Sequence, residues 1–177
     1  LEIGRTDAPN PQLVALEKKG AEVADLVITV SEAMKRQLVG MGVAAEKIAV
    51  CYHGVDTVFF NPDRADARRI EDLRSRYGFA EDDTVVLFMG RLEPVKGVVQ
   101  LFSAISQVQA KHPGVKLLVV GKGSLESWAA SEAERLGCVR LVTDFLDPEE
   151  KMLTYALADL CVFPSIYEPF GIVALEA

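Results

Sequence analysis

Cysteine, histidine and aromatic residues are scarce in this 177-residue chain, with three Cys, two His, one Trp and 7% aromatic positions in all. Three cysteines cannot form a disulfide framework. Cys51, Cys138 and Cys161 lie far apart, in or beside apolar runs, and read as buried reduced thiols of a cytoplasmic protein. A catalytic thiol needs a His or a helix N-terminus beside it, and such apolar settings argue against one. His53 and His112 are too distant for an i, i+4 metal pair, and His112, ahead of Pro113-Gly114, reads as a turn residue. Positive charge is also in deficit: 26 acidic against 19 basic side chains leave a formal net charge of −7. A nucleic-acid partner, which requires a positive field, is therefore not expected. The longest apolar runs, such as Thr84 to Gly90 and Val115 to Gly121, are about seven residues where a membrane span needs ~20, so no transmembrane segment is expected. Leu1 to Arg5 contains no apolar signal core, and a first residue other than Met is read as a start inside a longer chain.

What is present is an ordinary core-forming composition, 50% apolar and 25% charged, without repeats or low-complexity segments. Spacing predicts a helix over Pro11 to Ala24, a strand over Leu26 to Val30, a Ser31-capped helix over Glu32 to Leu38 and a strand over Lys47 to Cys51. A connector through Asn61-Pro62 follows, then a polar helix from Ala65 to Tyr77 that Gly78 closes. Strands are then expected at Thr84–Met89, Val115–Val120, Val139–Thr143 and Leu160–Phe163. Helices Gly97–Ala110, Leu125–Leu136 and Pro148–Ala156 alternate with them, and a last helix opens near Phe170. Apolar runs alternating with helices predict an α/β, doubly wound parallel sheet covered on both faces. Such domains have five or six strands, so four strands and a short final helix read as an excerpt.

Ligands of open parallel sheets bind beyond the carboxyl ends of the strands, so the segments that follow each strand are the candidate site. Arg91 and Lys96 precede a helix start, where the macrodipole disfavours cations by about 0.3–1 kcal/mol each. A phosphate or diphosphate would compensate them; two solvated surface charges is the alternative. Gly121-Lys122-Gly123 lacks a third dinucleotide-fingerprint glycine, since Glu126 stands in its place. It offers close backbone approach to a ligand, or serves turn geometry alone. Glu168 and Glu176 bracket Pro169-Phe170-Gly171 and, if helical, stand about 12 Å apart, too far to share a proton or a metal. They suit hydroxyls at the two ends of a polar ligand, with simple dipole compensation the alternative for Glu168. Glu81-Asp82-Asp83 lies on the wrong sheet edge for a metal site, and Asp147-Pro148-Glu149-Glu150 suits the first turn of a helix, so no metal is expected.

At Gly90-Arg91-Leu92 with Lys96-Gly97, and again from Glu168-Pro169-Phe170-Gly171 through Ile172 to Glu176-Ala177, the sequence resembles the group 1 retaining glycosyltransferases of GT-B fold. Ala24 to Ser31 is similar to the end of that family's acceptor domain. His53-Gly54-Val55-Asp56 through Pro62 is similar to its interdomain crossover, where the family commonly has Asn at position 53. The resemblance implies a GT-B, Rossmann-like fragment: residues 1–61 the end of the acceptor-binding domain and crossover, residues 62–177 the first half of the nucleotide-sugar donor domain. It also implies that Arg91 and Lys96 neutralise the diphosphate, and that Glu168 with the amides of Phe170 and Gly171 holds the transferred sugar. Glu176 then bonds the ribose, and the backbone near Phe145 and Leu146 meets the base. Gly90, Gly121, Gly123 and Ile172 complete the donor-binding set. Asp144 stands where the family often has Gly, which affects the base contact. The implied donor is an ADP-, UDP- or GDP-linked sugar, with no other cofactor, and the acceptor a glycan or other hydroxyl compound. The stretch Gly121 to Leu146, with Trp128, is most similar to archaeal glycogen or starch synthases. A sugar phosphorylase or phosphate-glycosyl synthase on the same fold, and a non-catalytic nucleotide-binding module, are the rival functions.

Overall fold

The computed structural model describes residues 10–177, so the reading of Leu1 to Arg5 lies outside the described residues. Contacts divide the chain into two compact units, one reaching to Gly54 and including Ile166–Ile172, the other Val55–Ser165 with Val173–Ala177.

In the first unit, helix α1 (Pro11–Val23) starts with a proline in its first turn, and the Asn10 side chain accepts the Gln12 N–H at 3.0 Å. Strand β1 (Val27–Thr29) pairs in parallel with β2 (Ile48–Val50), Val27 opposite Ile48. Between them lies α2 (Glu32–Gly40), capped by Ser31 Oγ, which accepts the Met34 N–H. Leu38, Val43 and Ile48 form a small core. Both strands are shorter than the apolar runs that announce them. Cys51, expected to be buried, is exposed, because the chain leaves the sheet after Val50 and keeps only a backbone bond to the Thr29 carbonyl.

The second unit opens with α3 (Ala67–Tyr77), capped by Asp66 and closed by Gly78 at φ +79°. Strand β3 (Thr84–Met89), α4 (Val98–Gln109), β4 (Val115–Val120), α5 (Glu126–Leu136), β5 (Val139–Val142), α6 (Pro148–Leu157), β6 (Leu160–Cys161) and α7 (Ile172–Glu176) follow. The four strands form one parallel sheet in the order β5-β4-β3-β6. Alternation along β3 sends Val85, Leu87 and Met89 into a core with Tyr77, Met152 and Leu153, and sends Val86 and Phe88 into another with Phe102 and Leu117. Burial on both faces is why this strand reads as an unbroken apolar run. Trp128 belongs to the second core, its ring 5.1 Å from Phe102.

The acidic clusters have local work. Asp147 caps α6, accepting the Glu150 N–H at 2.8 Å, while Glu149 pairs with Arg69 at 2.6 Å and Glu150 with Arg76, tying α6 to α3. Asp83 accepts the Ala80 N–H and faces Lys116 at 3.8 Å, ahead of β3. Strand β6 is two residues shorter than expected: Val162 still donates to Leu87, but Phe163 and Pro164 then leave the sheet. Since β3 has β4 on one side and β6 on the other, the connections turn in opposite directions beyond β3, which creates a switch point.

Candidate functional site

Parallel strands place every exit of the second unit on one edge, and three of these exits are locked through main-chain atoms. Leu92 N–H donates to the Lys122 carbonyl at 2.8 Å, and Leu125 N–H to the Leu92 carbonyl at 2.9 Å. A Cβ at Gly121 would overlap the Gly90 carbonyl, one at Gly123 the Leu92 backbone, and one at Gly97 the Pro164 carbonyl. The exit of β3 by itself requires Gly121 and Gly123 to lack a Cβ.

Arg91 is exposed and Lys96 half-buried; Lys96 ends a single 3-10 turn, Pro94–Lys96, and Gly97 at φ +70° then starts α4. Glu93, between the two cations, accepts from Ser124 N–H at 3.0 Å and Ser124 Oγ at 2.6 Å. Those bonds, with a smaller pull from Arg91, hold its carboxyl below the usual carboxylate range. A depressed folded-state value means that this staple contributes above the unfolded pKa, about 4.3, and is lost as the pH falls through the folded value. The Ser124 amide resonance is expected to titrate with a midpoint below that of an unfolded Glu; a midpoint at or above it contradicts the staple.

After β5, Phe145 is 91% exposed while Leu146 packs on the core. Together with Arg76, Tyr77, Arg140 and Asp144 they line a cleft of about 380 Å³, within the range of small-molecule sites.

Glu176 ends α7 with its side chain 11% exposed, and its Oε2 receives Lys151 Nζ at 2.5 Å and Tyr155 Oη at 2.9 Å. Burial, reinforced by the Glu176 charge, pushes the Tyr155 phenol far above its ordinary value, so it remains a donor. Neither partner was expected from the sequence, although their i, i+4 spacing in the helix after Asp147 puts them on one face.

Glu168, Phe170, Gly171 and Ile172 belong to the first unit, whereas Gly90, Arg91, Lys96, Gly121, Gly123, Phe145, Leu146 and Glu176 belong to the second. The last helix starts at Ile172 rather than near Phe170, because Gly171 at φ +83° departs from helical geometry. The amides of Phe170 and Gly171 thus precede the helix. The Phe170 ring meets His53 edge-on at 5.3 Å and Tyr52 at 6.2 Å, and the Glu168 side chain lies against Gly171. Among the described residues no three His, Cys, Asp or Glu side chains are grouped as a metal site would need, and no helix is long and apolar enough to cross a membrane.

The family profile described as glycosyl transferases group 1 matches residues 69–177, and that of glycosyltransferase family 4 matches residues 5–59. A D-inositol 3-phosphate glycosyltransferase of Mycolicibacterium smegmatis is 36% identical over 97% of this chain and 39% of its own length. A glycogen synthase of Mycobacterium tuberculosis is 34% identical over 94% of this chain and 38% of its own length. Among solved structures, Anabaena HepE in complex with UDP-glucose superposes with a TM-score of 0.81 at 28% identity, covering 94% of this chain and 46% of that one. The chain thus spans about two fifths of the length of the curated relatives it matches.

Proposed function

The chain belongs to the glycosyl transferases group 1 family and has the GT-B architecture, and from that premise we propose that the whole protein transfers a hexosyl group from a nucleotide diphosphate sugar to a hydroxyl acceptor. Residues 1–61 end its acceptor-binding part and residues 62–177 begin its donor-binding part. The sugar is glucose, the acceptor a glycan, and the anomeric configuration is retained, in the manner of a glycogen or starch synthase acting in the cytoplasm. UDP-glucose in HepE and the glycogen synthase among the relatives favour this donor and this acceptor class.

The observation that carries the reading is the interlock of the β3, β4 and β6 exits, which fixes the turn bearing Arg91 and Lys96 at the switch point. Cleavage of the sugar–phosphate bond passes through an oxocarbenium-like state while negative charge grows on the departing diphosphate. Fixed cations at that oxygen stabilise the transition state more than the ground state. They also supply the charge compensation a divalent cation would otherwise provide, so transfer is proposed to proceed without a metal. Glu168 and the amides of Phe170 and Gly171 hold the sugar, Glu176 the ribose, and the segment around Phe145 and Leu146 the base. Gly90, Gly121, Gly123 and Ile172 shape the donor pocket.

The test is a thermal-shift screen of the full-length protein against ADP, UDP and GDP and their glucose esters, followed by product analysis with EDTA present. Specific binding raises Tm by mass action. Nucleotide binding without sugar transfer, or turnover with inorganic phosphate in place of nucleotide, overturns the proposal.

A further inference from the structure

Glu176 is nearly sheltered from water, and its ion pair with Lys151 and its hydrogen bond from Tyr155 both land on one oxygen, Oε2. The two donors stand one turn apart on α6, whose Met152, Leu153 and Leu157 are rooted in the sheet's core. Both are backed by a ring from the connector: Phe60 lies edge-on to Tyr155 at 6.0 Å, and Lys151 Nζ stands 5.5 Å over the Phe60 ring. A lysine and a phenol converging on Oε2 fix the rotamer of the carboxylate and leave Oε1 as its acceptor.

Resting on the assignment of Glu176 to the ribose, we infer that Lys151 and Tyr155 are positioning residues that make this carboxylate a selective acceptor for a nucleotide ribose diol. An unsupported glutamate on a five-residue helix would lose side-chain freedom on every binding event; here the partners have removed that freedom beforehand. A hydroxyl donor is the group Oε1 accepts, so a sugar lacking both ribose hydroxyls gains nothing from the arrangement.

The experiment uses the full-length enzyme with UDP-glucose, or ADP- or GDP-glucose if the donor screen ranks one of these higher, and with the matching 2′,3′-dideoxyribose donor. Lys151→Met is expected to raise KM for the ribose donor about tenfold and Tyr155→Phe a few-fold, with kcat within about twofold. Lys151→Arg recovers most of the loss. With the dideoxy donor, parent and variants coincide. Equal penalties on both donors, or an unchanged KM accompanied only by a lower Tm, show a purely structural tie and overturn the inference. Glu176→Gln is measured in parallel. If it leaves KM unchanged, the ribose assignment itself fails; if it weakens the donor while Lys151→Met and Tyr155→Phe do not, only the positioning role fails.

Discussion

In the full-length enzyme, Lys96→Ala is expected to lower kcat for sugar transfer by about 10²–10³, the loss typical of removing one preorganised group from a developing oxyanion. On the proposed function the loss falls mainly on kcat, because the diphosphate gains charge as the sugar–phosphate bond breaks and a fixed cation answers that gain most strongly in the transition state. Fixation is what the turn supplies. Its backbone is tied at Glu93 by two bonds from Ser124 and packs at Gly97 against the Pro164 carbonyl, which fixes the point from which the Lys96 side chain extends. Lys96→Arg, which keeps charge but not shape, should recover part of the rate. Steady-state kinetics with saturating donor decide the matter; a kcat within threefold of the parent removes Lys96 from the chemistry.

The second large effect is on stability. Gly97→Ala places a Cβ in the left-handed region, at φ +70°, and against the Pro164 carbonyl. Gly78→Ala provides the control, since its φ is +79° but nothing lies within 4 Å of the added carbon. Left-handed strain alone costs about 1 kcal/mol, whereas strain plus a backbone collision costs about 3 kcal/mol or more. Urea unfolding of the two variants of this chain measures the difference. Equal losses would mean that the exits of β3 and β6 do not press together as described.

Elements whose stability is local were legible in the sequence. The capping of α2 by Ser31, the closure of α3 by Gly78 and the unbroken burial of Val85–Met89 follow from residue type and period, and each lies within two residues of its expected place. Features set by distant partners were not. Cys51 sits in an apolar run that reads as a strand core, yet the two-stranded sheet leaves it exposed. The glycines at 121 and 123 announced a tight approach, but only the fold identifies the β3 exit as what approaches. Likewise Glu176 stood out as a carboxylate, while its lysine and phenol, some twenty positions earlier, meet it only once α6 and α7 are packed. The start of α7 moved by two residues because Gly171 takes a positive φ, which a sequence containing Pro-Phe-Gly permits without requiring.

Apart from the Glu93–Ser124 pair, the mutual grip of the strand exits is made of carbonyls, amides and missing β-carbons. Selection can therefore exchange the residues displayed on this rim while the scaffold beneath them stays put. On the proposed function, a lineage built on such a frame can change its nucleotide or its sugar by altering a handful of codons, provided the glycines and the Glu93–Ser124 pair are left alone.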